Sequence, residues 1–185
     1  MEAFVRNYVE QNLALLNALD PRQIANIITE FEKARDGNKR IYAIGNGGSA
    51  STASHFVNDM GKGASLGREK RFKTIPLTDN VPWMTALSND LSYEDVYVEQ
   101  LRNFAEPGDI LLAISGSGNS ENVLRAVRYG NDVGCVSIGF TGFEGGQLKD
   151  LVQHCVVIST DHMGRIEDLH VILQHMICYY FMEQA

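Results

Sequence analysis

The sequence is short of positive charge. Sixteen Lys and Arg stand against twenty-three Asp and Glu, a formal charge of −7 over 185 residues. It therefore lacks the basic surface with which proteins neutralise nucleic-acid phosphates or anionic lipid headgroups. A small molecule or another protein is the expected partner, with no nucleic acid and no membrane. Long apolar runs are missing too, since none approaches the roughly 18 residues of a membrane-spanning helix. The opening stretch MEAFVRNYVEQNLALLNAL has acidic and polar residues spread through it, unlike a secretory leader. The expected location is cytoplasmic. Cysteine is scarce and unpatterned: Cys135, Cys155 and Cys178 sit in the apolar contexts VGCVSIGF, QHCVVIS and HMICYYF, with no CxxC spacing. They read as buried thiols rather than disulfides, zinc ligands or a nucleophile.

What is present is an ordinary folding composition, 44% apolar and 21% charged, in a length that suits one domain over 1–185. Two helical patterns come first, filling 1–36. One runs from Glu2 to Leu19; the other starts at Pro21, where Asp20 offers a cap and proline takes the first turn. They are placed to cover a sheet face or to build an oligomer interface. The rest, 37–185, reads as an α/β core and a C-terminal helix. RIYAIG, TIPLT, DILLAISGSG, GCVSIGF and CVVIST are apolar, β-branched runs separated by helix-compatible sequence, the pattern of a mostly parallel sheet buried on both faces. RIEDLHVILQHMICYYFMEQ closes the chain as an amphipathic helix, with Ile166, Leu169, Ile172, Leu173, Met176, Ile177 and Tyr180 as its apolar stripe.

Two turns are rich in small residues: GNGGSA after the first strand and SGSGNS after the third. In open α/β sheets ligands collect beyond the carboxyl ends of strands, where helix N-termini present unpaired N–H groups. Glycines let the backbone approach an anion closely, and Ser49, Ser51, Ser115, Ser117 and Ser120 can donate hydroxyl hydrogen bonds to phosphate oxygens. Serine, asparagine and glycine are also good caps and turn residues, so a single such turn says little. Two in one domain say more. Neither is a Walker A loop, for no GK[ST] follows, and Ala50 stands where the third glycine of GxGxxG would be. Nucleoside triphosphates and dinucleotides are thereby disfavoured. On a helix, His55 and Asp59 at i,i+4 share one face and are close enough to share a metal or a hydrogen bond.

The motifs AIGNGGSASTASHF, LSNDLSYEDVY, GDILLAISGSGNSENVLRAV and RIEDLHVILQH together resemble the sugar isomerase (SIS) domain family. Within it they look most like the phosphoheptose isomerases, which convert sedoheptulose 7-phosphate to D-glycero-D-manno-heptose 7-phosphate. The resemblance covers nearly the whole chain. It implies a single SIS domain with a five-stranded parallel sheet flanked by helices, and a homotetramer packed partly through N-terminal helices, with active sites shared between subunits. Asn46 and Asp90 match sugar-contacting positions, and Ser49, Ser115, Ser117 and Ser120 match phosphate contacts in turns that include Gly47, Gly48 and Gly116. His55 matches the family histidine. Asp59 stands where relatives carry a glutamate that is base and zinc ligand, and Glu167 where they usually carry glutamine. His175 matches their second acid/base group, itself a metal ligand. His170 matches too.

Several departures accompany the match. Gly116 replaces a threonine common in relatives, and Lys62 or Arg68 would have to stand in for an arginine that follows their glutamate. Two imidazoles and two carboxylates, from His55, Asp59, Glu167 and His175, suit zinc or another divalent first-row metal, one per active site. Along one straight helix Glu167 and His175 lie roughly 12 Å apart, so they meet at one ion only if Glu167 precedes the helix or another subunit contributes. The implied chemistry is ketose–aldose isomerisation through an enediolate. Asp59 would be the base near C2, His175 the second proton-transfer group, and the metal a Lewis acid. The alternatives are a non-catalytic SIS regulator resembling the bacterial replication-initiator-associating protein, or a phosphosugar-sensing module. His154 and His162 are expected to do nothing catalytic, and Trp83 to pack the sheet or an interface.

Overall fold

The computed structural model describes residues 1–184. Its centre is one sheet of five parallel strands, β1 (Arg40–Gly45), β2 (Lys73–Pro76), β3 (Ile110–Ser115), β4 (Val136–Gly142) and β5 (His154–Ile158), in the order β2-β1-β3-β4-β5. Each strand is one of the five apolar runs. The inner strands β1, β3 and β4 are buried on both faces, β3 along its whole length, whereas the edge strands β2 and β5 are only partly covered.

Successive side chains point to opposite faces, and two cores result. Ile41 and Ala43 of β1 join Ile110, Leu112 and Ile114 of β3 under α2 (Pro21–Asp36), α3 (Gly48–Asn58) and α8 (Met163–Glu183). Tyr42, Ile44, Leu111 and Ala113 face the other way, under α5 (Val98–Phe104), α6 (Glu121–Val133) and α7 (Leu148–Leu151). Between β2 and α5 lie α4 (Val81–Asp90) and a 3₁₀ turn at Tyr93–Asp95.

α1 (Glu2–Asn17) ends two residues before the expected Leu19, and Leu16 and Leu19 pack against the first core. Asp20 caps α2 as expected, its Oδ1 accepting the Arg22 N–H at 2.9 Å. Phe4, Val5, Val9 and Leu13 of α1 remain exposed. In α8 the buried face departs from the expected stripe. Ile166, Leu169, Leu173 and Ile177 are buried, but Met176 and Tyr180 are exposed, and His170, Gln174, Cys178 and Phe181 complete the inner face. Apolar periodicity alone misplaced that face by about one residue's rotation, because two polar side chains sit inside it.

Candidate active site

β1 runs out at Gly45 and the chain turns through Asn46 and Gly47 into α3. Gly47 holds φ 55° and ψ −122°, a conformation that a side chain strongly disfavours. The Ser49 N–H then donates to the Asn46 carbonyl at 3.0 Å. The second turn leads from β3 into α6. A Cβ at its Gly118, where φ is 65°, would lie 2.1 Å from the Gly145 carbonyl oxygen, so glycine is what lets the loop after β4 close on this turn. The two turns face each other across a cavity of about 180 Å³.

Ser49, Ser115, Ser117 and Ser120 line that cavity together with Asn46, Ile114, Gly116, Met163 and Glu167. Ser115 Oγ lies 3.4 Å from Ser120 Oγ, and Ser117 Oγ accepts the Asn119 N–H at 3.2 Å. Although Ser120 stands at the N-cap of α6, its side chain makes no capping bond. Its hydroxyl is left for the cavity. Among the described residues, no Lys, Arg or His lines it.

Asn46 is fixed by partners that the motif reading did not single out. Its Oδ1 accepts from the Tyr93 hydroxyl at 2.8 Å and the Asn122 amide at 2.9 Å, and the Tyr97 hydroxyl, which donates to the Gly45 carbonyl, lies 3.3 Å away. Its own amide donates to Asn122 Oδ1 at 2.8 Å. Tyr93 and Tyr97 lie in the quoted motif LSNDLSYEDVY and Asn122 two residues after Ser120, but nothing local in sequence announces that they converge on Asn46.

α3 and α8 lie side by side, with Gly48 against Glu167 at one end and His55 against His175 two turns on. At the C-terminal end of α3 the backbone widens into a π-turn, Asp59–Gly63, in which the Ala64 N–H donates to the Asp59 carbonyl at 2.9 Å. Such turns recur at functional sites. Asp59 Oδ2 lies 3.3 Å from His55 Nε2 and 3.7 Å from His175 Nε2, and the two Nε2 atoms are 3.5 Å apart. Asp59 Oδ1 is held by the Asn58 amide at 3.2 Å. Four ligands at the 2.0–2.1 Å bond lengths of zinc form a tetrahedron with edges of about 3.4 Å. The three separations, 3.3, 3.5 and 3.7 Å, lie close to that edge. His55, Asp59 and His175 thus present three converging donors suited to one metal ion, with both imidazoles partly open to solvent.

Glu167 does not join this trio. It lies inside α8 rather than before it, and the eight-residue rise to His175, roughly 12 Å, leaves its carboxylate at the serine cavity. The four-ligand set is therefore not assembled within one chain. Asp90 is also away from the cavity, exposed at the end of α4 with its Oδ1 bonded to Asn89. Ser51 is exposed outside it. Gly116 is matched to Met163: a Cβ there would meet Sδ at 2.6 Å, so the turn and the start of α8 fit as a pair. Lys62 is exposed in the π-turn, and Arg68 is committed to the Met182 carbonyl at 3.0 Å.

The remaining candidates are structural. His162 caps α8, its Nδ1 accepting the Arg165 N–H at 3.4 Å. Trp83 packs edge-on against Phe104. His170 donates through Nε2 to the Thr141 carbonyl at 3.2 Å, and burial pushes its pKa down to about 4. Cys135 and Cys178 are buried and Cys155 half-buried, a small departure from expectation; all are free thiols. Burial pushes Cys135 and Cys155 up to about 11, which keeps them protonated and poorly nucleophilic.

Residues 7–142 match the SIS domain family. The probable phosphoheptose isomerase of Thermoplasma acidophilum is 35% identical over 173 residues, covering 94% of each chain. Among solved structures, a phosphoheptose isomerase from Francisella tularensis superposes with a TM-score of 0.90 at 25% identity, covering 98% of this chain and 96% of that one. One from Neisseria gonorrhoeae gives 0.88 at 27% identity, covering 97% and 95%.

Proposed function

Because the chain belongs to the SIS domain family, among the phosphoheptose isomerases, we propose that it is a ketose–aldose isomerase of phosphosugars, acting on sedoheptulose 7-phosphate to give D-glycero-D-manno-heptose 7-phosphate. The observation that carries this reading is the pairing of a serine cavity with a His/Asp/His trio on the same two helices. Eight residue steps along α8, from Glu167 to His175, separate them by roughly 12 Å. An extended seven-carbon sugar phosphate bridges that gap, with its phosphate among the serines and its carbonyl end at the trio. A triose phosphate does not. A binding-only regulator needs the cavity but has no use for the trio.

In the aldose-to-ketose direction Asp59 takes the proton from C2 and returns it at C1, while His175 exchanges the proton between the two oxygens. Asn58 holds the carboxylate through Oδ1, and Oδ2, beside the two imidazoles, is the oxygen that would take the proton. Zinc, or another first-row divalent ion, fits between His55, Asp59 and His175; when bound it supplies a Lewis acid for the negative charge that develops on the oxygens. Metal binding by Asp59 lowers its basicity, so the two roles share one carboxylate. The exposed stripe of Phe4, Val5, Val9 and Leu13 on α1 is a surface that further subunits of a cytoplasmic homotetramer would cover.

The test is direct. Chelator-treated protein is incubated with sedoheptulose 7-phosphate with and without added zinc, and aldoheptose phosphate is followed by NMR. Product that depends on zinc supports the reading. Failure on a panel of ketose and aldose phosphates, with zinc present and the protein folded, sinks it.

A further inference from the structure

Asn46 is held by two elements that are themselves tied together. Asn122, in the first turn of α6, exchanges two hydrogen bonds with its amide, at 2.8 and 2.9 Å. Tyr93, in the 3₁₀ turn Tyr93–Asp95, donates to its Oδ1 at 2.8 Å. About one turn of α6 beyond Asn122, Arg125 reaches that same 3₁₀ turn. Its Nη1 donates to Asp95 Oδ1 at 2.8 Å, and its Nη2 lies 3.6 Å from Glu94 Oε2. The contacts close a ring: Asn46 to Asn122, along α6 to Arg125, across to Asp95, and back through Tyr93.

The chain's own hold on the 3₁₀ turn is polar, because none of the three side chains in it is buried. Asp95 Oδ2 accepts the Ser92 hydroxyl at 2.6 Å, and the Asp95 N–H donates to the Ser92 carbonyl at 3.1 Å. These bonds fold the turn on itself, and Arg125 fastens it to α6. The guanidinium is in turn steadied on its own helix by Glu121, whose Oε1 accepts from Nε at 3.3 Å. Hydrogen bonds from Ser92 and Arg125 hold the Asp95 carboxyl below the usual carboxylate range. A partly exposed ion pair adds little stability; what this one supplies is geometry.

We propose that Arg125 and Asp95 are positioning residues for the isomerase: they hold Tyr93 against Asn46 and so fix the orientation of the Asn46 amide towards the sugar phosphate. This rests on the isomerase reading above. Both residues lie outside the cavity lining, whereas Asn46 is part of it. Because Asn46 stands at the serine cavity and not at the trio, misorienting it weakens the hold on ground state and transition state alike. Such a loss raises KM and spares kcat.

The experiment reads both constants with sedoheptulose 7-phosphate and zinc. Arg125→Ala and Asp95→Asn are each expected to raise KM about three- to ten-fold, the order of one hydrogen bond, with kcat within about three-fold of wild type. Tyr93→Phe should give a similar rise, and combining it with Arg125→Ala should raise KM no further, since both act through one contact. Arg128→Ala, which breaks a 3.0 Å pair to the same Glu121 but not the bond to Asp95, should leave both constants unchanged. A merely structural role would lower the folded fraction, and with it kcat, at constant KM. Melting temperatures within about 4 °C of wild type are expected instead. Unchanged KM in either Arg125→Ala or Asp95→Asn, additive effects of Arg125→Ala and Tyr93→Phe, or an equal rise in Arg128→Ala would each overturn the inference. Any of these with an active wild type removes this inference alone. A wild type that converts no phosphosugar removes the isomerase reading, and this inference with it.

Discussion

Replacing Asp59 with asparagine keeps the shape of the side chain and removes its charge. Asn58 can still donate to an oxygen at the Oδ1 position, where it now sits at 3.2 Å, so the side chain should stay in place and the fold should be unaffected. What is lost is the carboxylate oxygen 3.3 Å from His55 and 3.7 Å from His175. Loss of a positioned base costs about 10²- to 10⁴-fold in rate, or about 3–5 kcal/mol of barrier. The serine cavity proposed to hold the phosphate is roughly 12 Å away along α8, so substrate binding should be nearly untouched. The expected result is therefore a fall in kcat of about 10²-fold or more with KM within a few-fold of wild type. Zinc affinity, read by competition with a chromophoric chelator, should fall in parallel. A kcat within ten-fold of wild type would refute the assignment of the base, and a KM that rises as much as kcat falls would place Asp59 in binding instead.

Three further outcomes follow from the structure. Gly118→Ala must fit a Cβ 2.1 Å from a backbone oxygen at positive φ, whereas Gly47→Ala meets only the backbone cost in open space; thermal denaturation should show the larger loss at Gly118, more than about 1 kcal/mol. His170 is held neutral when folded, with its pKa down at about 4. The unfolded chain therefore binds the extra proton first, and stability should fall as pH drops from about 6.5 towards 4, by about 3 kcal/mol in all. His170→Gln should flatten that slope in denaturant titrations across the same range, and an unchanged slope would assign it to other groups. Val9→Glu or Leu13→Glu, both on the exposed α1 stripe, should reduce the assembled mass by light scattering; unaltered assembly would place the subunit interface elsewhere.

The sheet was legible because burial of the inner strands on both faces leaves an unbroken apolar signature, and each of the five runs became a strand. The cap at Asp20 was legible for a local reason, an acceptor two residues before the N–H it receives. The site was readable where spacing decides it, as with His55 and Asp59 one helical turn apart. It was not readable where distant segments meet. His175 reaches Asp59 only because α3 and α8 run alongside each other, and the same alignment carries Glu167 away to the serine cavity. Gln174 and His170 escaped for a different cause: hydropathy patterning treats polar side chains as outward-facing, whereas packing buries both.

The two donors gathered on Asn46 Oδ1 give the cavity a handedness of polarity. With its carbonyl oxygen taken by Tyr93 and Asn122, and one amide hydrogen returned to Asn122, this side chain cannot flip without breaking several bonds at once. A molecule entering the cavity meets Asn46 as a giver of one hydrogen and never as a taker. A hydroxyl there is read by its lone pair, and its own hydrogen must find another acceptor.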